Sequence, residues 1–375
     1  MPRYIQCLIL LTIALWIGSS KARGQSWSGS GVEVNAIAGK VYKHEKKFTL
    51  PIPALTTGLD VNMVQHTYGK KAWHQRRKYP VLGIGIAYIN YGMDDVYGQC
   101  FGFYPNITLP LFSSKKIEWT LRLGDGIGYV TKEYRRVAPA DTINVAIGSH
   151  INDFGMFMTD LRYHCNQHWD MQIGANITHI SDASYHKPNL GINMTGVHFG
   201  VSYFPVTSKP EHIIRDQKPL SNRWLVQARL SMAYISSYTS GGPLYPVYIA
   251  SGYVSRRWIS KNKVFAGLDR AYYQSIYSYL RNNELERGHE RQNSYKSAVF
   301  AGNEFLLGRL GVVFQVGYYL QESALKTSPF YEKIGAHYYL LQKEHGPVKE
   351  LFLSAFLKTH ETVAELGEIG VGFGF

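Results

Sequence analysis

The sequence predicts an all-β protein, a transmembrane antiparallel β-barrel, on three observations. Apolar and polar residues alternate with period two along most of the chain, which is the strand signal. Aromatic residues make up 14% of a 375-residue chain that also holds 36 glycines, a β-rich composition. The longest uninterrupted apolar stretch lies at the N-terminus and is too short to cross a bilayer as a helix. A helical membrane protein is thereby excluded. A barrel is not, because its strands never form a long apolar run.

The elements follow in order. Residues 1–24 read as a secretory signal: Arg3, an apolar core from Cys7 to Gly18, and small residues Ala22 and Gly24 before Gln25. Removing Arg3, Lys21 and Arg23 lowers the formal charge from +13 to +10. A basic exported protein suits phosphorylated lipid headgroups, and export removes nucleic acid as a partner. The densest basic run, Lys70, Lys71, Arg76, Arg77 and Lys78, reads first as a solvated turn and second as a phosphate contact. Cys100 and Cys165 remain after export. Oxidising conditions permit a disulfide between them, and their spacing leaves the pairing open. No C-x-x-C or H-E-x-x-H spacing is present, so neither metal nor cofactor is expected.

Within 117–123, Ile117, Trp119, Leu121 and Leu123 face one way and Glu118, Thr120 and Arg122 the other. The same holds for Trp224, Val226, Ala228, Leu230, Met232 and Tyr234, and for Val312, Phe314, Val316, Tyr318 and Leu320. Candidate strands lie near 31–43, 56–68, 80–91, 97–112, 116–131, 143–158, 168–181 and 190–205. A second set lies near 222–237, 244–258, 261–278, 297–306, 309–320, 330–341, 347–360 and 366–375. In the last, Ile369, Val371, Phe373 and Phe375 alternate with Glu368, Gly370, Gly372 and Gly374. A terminal aromatic on such a strand resembles the C-terminal assembly signal of outer-membrane barrels. That resemblance implies a Gram-negative outer membrane and the barrel-assembly machinery as a partner.

A polar, proline-containing stretch at 208–221 divides the mature chain into 25–207 and 222–375. One assembly signal most simply serves one closed sheet, so the expectation is a single barrel of about 14–16 strands. Two tandem eight-strand barrels are the alternative. Thr178-His179 followed by Leu190-Gly191 is echoed by Thr359-His360 followed by Leu366-Gly367, which fits either an old duplication or the likeness of any two hairpins.

The segment most able to carry chemistry is 176–204. His179 and Ser181 are two apart and share a strand face with Met171, Ile173, Ala175 and Ile177. After a turn, Asn193 shares a face with Val197, Phe199, Val201 and Tyr203. In a barrel that apolar face looks at lipid, where polar groups are expensive unless used. A hydroxyl beside an imidazole, with an amide to orient the ring, is a parts list for acyl transfer. The bland alternative is that these residues mark the membrane boundary. His164 and His168 lack the helix that would pair them as ligands. His198 reads as a lumen residue, His360 as inward-facing, and Gly370, Gly372 and Gly374 as close packing.

The pattern His179-Ile180-Ser181, Pro188-Asn189-Leu190-Gly191 and Asn193 resembles the outer-membrane lipid A 3-O-deacylase family. The resemblance implies an esterase that removes the 3-O-linked acyl chain of lipid A, the lipid anchor of lipopolysaccharide, with Ser181 as nucleophile and His179 as base. Asn193 stands where the family has the glutamate that orients the histidine. Asp182 stands where an asparagine is common, and Ala183-Ser184 replaces Ala-Gly. The reading from another class is a catalytically silent barrel acting as channel, anchor or lipid-binding surface.

Overall fold

The computed structural model describes residues 28–375 apart from 44–47, 207–210, 217–220, 237–241, 260, 326 and 362. The signal expected over 1–24 lies outside the described residues, as does part of the 208–221 stretch.

The first eight strands are β1 (Ser30–Val41), β2 (Thr56–His66), β3 (Val81–Asn90), β4 (Gln99–Ser113), β5 (Ile117–Val130), β6 (Ile151–His164), β7 (Trp169–Ser181) and β8 (Ile192–Tyr203). The second eight are β9 (Trp224–Ser236), β10 (Leu244–Ile259), β11 (Asn262–Tyr273), β12 (Tyr295–Leu307), β13 (Leu310–Gln321), β14 (Phe330–Gln342), β15 (Glu350–His360) and β16 (Val363–Gly374).

These strands form two closed eight-strand barrels. The single wide barrel is therefore corrected, and the tandem alternative holds. Closure depends on the free edge of β1, and β8 meets it antiparallel and in register from Val32↔Tyr203 to Val41↔Met194. With that edge taken, the second eight must close alone. β16 pairs with β9 from Glu368↔Ala233 to Gly374↔Gln227, and the Phe375 N–H donates to the Val226 carbonyl at 2.9 Å. The terminal strand thus seals the second barrel.

Alternation places the outward side chains in lipid. Ile173, Val197, Leu230, Val316 and Ile369 are all more than half exposed. The sixth strand differs from expectation. Residues 143–150 alternate like a strand, yet Ala146 and Ile147 turn into the first lumen beside Phe154, Met156 and Ile180. The strand itself starts at Ile151. A short helix α1 (Ala72–Arg76) lies between β2 and β3. Likewise β11 stops at Tyr273, and helix α2 (Gln274–Asn282) follows. Helix α2 lays Ile276 and Leu280, one turn apart, over Ala233, Ile235 and Leu366 inside the second lumen.

Below its apolar plug the first lumen is charged. Glu33 accepts from Arg122 and, at 2.6 Å, from Arg162, and Asp60 accepts from Arg122 at 3.1 Å. His198 lies 2.6 Å from Asp160. The lumen is thus filled by paired side chains. Turns 114–116, 165–168 and 308–309 are short and lie at the end that holds the termini. The longer connections 131–150, 182–191 and 274–294 lie at the other end. In outer-membrane barrels the long loops are extracellular.

Candidate active site

β7 runs outward and ends on Ser181, and β8 begins one turn later at Ile192. The register pairs His179 with Asn193 directly across these strands. Parity puts His179, Ser181 and Asn193 on the outer wall, above the exposed Ile173 and Ile177, at the extracellular end of the strands. The wall is not bare there: Ser181 is only 2% exposed.

His179 Nδ1 lies 2.7 Å from Asn193 Oδ1. An amide oxygen only accepts, so in this contact Nδ1 carries the proton. Gly191 has φ +75° and opens the space between ring and hydroxyl. A Cβ there would lie 3.2 Å from His179 Cε1 and 3.5 Å from Ser181 Cβ. The Gly191 N–H donates to the Ala146 carbonyl at 2.9 Å, tying this turn to the 131–150 loop.

The Ser181 hydroxyl oxygen accepts two hydrogen bonds, from Asn189 Nδ2 at 2.8 Å and from the Ala183 N–H at 3.1 Å. Asn189 is itself steered, because its Oδ1 lies 3.4 Å from the Asp182 N–H. Asp182 is buried and occupied by His186, whose N–H donates to Oδ2 at 3.0 Å and whose ring lies 3.6 Å away. Burial pushes the Asp182 carboxyl up to about 6, against the pull of the His186 N–H and ring.

Ala183 and Ser184 both have positive φ, +54° and +64°. That conformation costs a non-glycine residue about 1–2 kcal/mol, so something must hold it. The second barrel touches this pair. Ser184 Oγ donates to the Ala364 carbonyl at 2.7 Å, and the Ser236 N–H lies 3.3 Å from the Ser184 carbonyl.

Sequence reasoning missed three features of this site. The position of Asn189 on the Ser181 oxygen depends on how the turn folds back, which no local pattern reports. The contact with the second barrel is likewise invisible in the sequence. The third feature, Asp125 with Asp153, was legible by parity. These residues sit on the outward faces of β5 and β6, where lipid-facing carboxylates are anomalous. Asp153 pairs with Ser181, and Asp125 pairs with Gly155, which in turn pairs with His179. Both carboxylates therefore lie on the same wall as the serine and histidine.

The remaining candidates lie elsewhere. His360 points inward, 3.0 Å from Glu365. His164 binds Asp170 at 2.9 Å, and His168 sits in a terminus-side turn. Cys100 is buried near the extracellular end of β4 while Cys165 is exposed in the 165–168 turn, and both are free thiols. A Cβ at Gly372 would meet the Phe352 ring, which is close packing inside the second barrel. In the basic run, the Arg77 guanidinium donates to the Lys261 carbonyl at 2.6 Å and the Leu306 carbonyl at 3.1 Å, so it joins the barrels. Among the described residues no group of three or more His, Cys, Asp or Glu is placed to hold a metal ion.

The family model for lipid A 3-O-deacylase matches residues 57–202, and the model for the acyloxyacyl hydrolase C-terminal domain matches 222–375. No curated protein matches the chain. Among solved structures, Neisserial surface protein A aligns with TM-score 0.33 and 11% identity, over 47% of this chain and 97% of its own. The outer membrane enzyme PagL aligns with TM-score 0.31 and 16% identity, over 45% and 97%. A Rhodopseudomonas blastica porin triple mutant aligns with TM-score 0.21 and 9% identity, over 92% and 100%.

Proposed function

Because this chain belongs to the lipid A 3-O-deacylase family, a family of outer-membrane hydrolases acting on an acyl ester of lipid A, we propose that it releases the 3-O-linked acyl chain through Ser181 and His179. The observation that carries this reading is the 2.7 Å contact of His179 with Asn193 on the lipid-facing wall beside Ser181. There, substrate in the outer leaflet reaches the serine from the bilayer plane.

His179 Nε2 takes the Ser181 proton as Oγ attacks the acyl carbonyl carbon. The carbonyl π electrons move to oxygen and give a tetrahedral oxyanion. Asn189 Nδ2 and the Ala183 N–H, which donate to Oγ, are the groups we assign to stabilising that oxyanion. Collapse expels the sugar 3-oxygen, which takes the proton from His179. Water, deprotonated by His179, then attacks the acyl carbon; the C–Oγ bond breaks, Ser181 Oγ takes the proton back from His179, and the fatty acid leaves.

Asn193 orients His179 but brings no charge to the imidazolium that forms in each half-reaction. In a serine protease of the trypsin type, exchanging the corresponding acid for an amide lowers kcat by about 10⁴. Asp153 places a second carboxyl on the same wall, across β6 and β7 from Ser181. Diagonal neighbours on paired strands lie about 7 Å apart, and two unit charges at ~7 Å and an effective dielectric near ~20 attract by roughly 2 kcal/mol. In its ionised form Asp153 would thereby replace part of what the missing glutamate would give. The terminal strand ending on Phe375 is the segment we assign to recognition by the barrel-assembly machinery.

The test is mass spectrometry of lipid A from outer membranes that carry the protein, beside Ser181→Ala. Loss of one 3-hydroxyacyl chain, abolished by the substitution, is expected. Unchanged lipid A from a correctly inserted protein would instead favour a silent, lipid-binding barrel.

A further inference from the structure

We propose that the second barrel is a positioning element for the nucleophile's loop, acting through the Ser184 hydroxyl on the Ala364 carbonyl. The inference rests on the reading of Ser181 as nucleophile and gives the C-terminal half a part in the same reaction.

Four observations converge. Ala183 and Ser184 are consecutive non-glycine residues at φ +54° and +64°, immediately downstream of the serine. The first of them presents its N–H to Ser181 Oγ at 3.1 Å, so its conformation sets a donor at the reacting oxygen. The second is 5% exposed and is held by two hydrogen bonds to the second barrel, one given to Ala364 and one taken from Ser236. Finally, a Cβ at Gly367 would lie 3.3 Å from the Ala183 Cβ, so the second barrel also limits where Ala183 can sit.

The chemistry of the tether explains the residue. In a left-handed turn glycine is free of steric penalty, whereas serine is not. Serine gains a donor that glycine lacks, and here the donor is directed at the neighbouring barrel. The contact falls at the extracellular ends of β9 and β16, the two strands whose pairing closes that barrel. At the opposite end Arg77 bonds the Lys261 and Leu306 carbonyls, and a Cβ at Gly308 would press on Trp73. The barrels therefore touch at both ends of their strands. This fixes the second barrel against the loop, and Ser184 acts as a positioning residue that need not touch substrate.

The test compares full-length wild type, Ser184→Ala, Ser184→Gly and Gly367→Leu in detergent micelles with lipid A, with Ser181→Ala as blank. Heat-modifiable gel migration checks that each barrel is folded. Ser184→Ala is expected to lower kcat about 10- to 100-fold with KM within about twofold, as for a displaced reacting group. Ser184→Gly retains clearly more kcat, because glycine keeps φ +64° without the tether. Gly367→Leu, on the lipid face of the second barrel, lowers kcat in a folded protein by pushing on Ala183. Ser181-dependent release that is unaffected by Ser184→Ala and Gly367→Leu, or equal losses in Ser184→Ala and Ser184→Gly, overturns this inference alone. No Ser181-dependent release from the wild type overturns the esterase reading and this inference with it.

Discussion

His179 and Asn193 face each other squarely across β7 and β8, with Nδ1 2.7 Å from the amide oxygen. The amide fixes the tautomer and leaves the charge of the imidazolium to other groups. Removing the amide frees the ring to rotate. Asn193→Ala is expected to lower kcat about 100-fold, the lower end of what a positioned general base contributes. Asn193→Glu is expected to raise it above wild type. Initial rates of 3-hydroxy fatty acid release decide both.

Asp153 stands opposite Ser181 on the same outward face. A mutation to Asn removes its charge and keeps its shape. With Asp153 ionised, the attraction of roughly 2 kcal/mol estimated for that spacing corresponds to a loss of kcat of about 30-fold. Adding Asn193→Glu to Asp153→Asn restores most of the rate if the lost quantity is charge. A double-mutant cycle on kcat reads the coupling.

Gly191 occupies the gap between base and nucleophile at φ +75°. In Gly191→Ala the new methyl carbon lies 3.2 Å from His179 Cε1 and strains the backbone as well. The expected result is a loss of kcat of about 100-fold, the scale of a misplaced reacting group, in a barrel that still folds. Stopped release together with normal heat-modifiable migration is the signature.

Asp182 follows the nucleophile, and burial raises its carboxyl to about 6. Above that pH it is ionised and repels a developing oxyanion; below it the group is neutral. Asp182→Asn is therefore expected to raise kcat at pH 8 and to change it little at pH 5. The stability effect has the same sign. A carboxyl whose folded value exceeds its unfolded value near 3.8 weakens the fold as pH rises from about 4 through 6. Asp182→Asn should raise the unfolding midpoint at pH 8 and leave it unchanged at pH 3.5. A pH series of denaturant midpoints checks this.

Glu33 pairs with both Arg122 and Arg162 inside the first lumen, and Asp60 pairs with Arg122 as well. Glu33→Ala leaves buried guanidinium charge behind, and breaking a buried pair in this way costs about 3–5 kcal/mol. Urea unfolding in micelles should show a matching fall in stability.

The strands were legible in the sequence because period two survives wherever one face meets lipid. About sixteen expected strands became sixteen among the described residues, and the outward placement of His179, Ser181 and Asn193 followed from parity alone. The pairing of β1 with β8 was not legible, since it joins residues about as far apart as the first half allows and depends on which edge is met first. The 143–150 stretch misled for a related reason. Alternation reports a two-sided environment, and a plug lying over a lumen has two sides as well. Asp125 and Asp153 carried their signal openly as charges at lipid-facing positions. Asn189 stood inside the Pro188–Gly191 motif, yet its contact with Ser181 depends on a turn's path and gave no signal, and neither did the Ser184–Ala364 contact, which spans 180 positions of chain.

A Thr-His pair lies near the extracellular end of the seventh strand of each barrel and shows what parity decides. Thr178-His179 sends its histidine to the outer wall, whereas Thr359-His360 sends its histidine inward to Glu365. An offset of a single residue separates the two outcomes. A one-codon insertion or deletion near a strand end can thus exchange a group that meets lipid for one that braces a lumen, with the closed sheet unchanged. Novelty in such a wall therefore needs little change in sequence, and two barrels in one chain let one explore it while the other keeps the site.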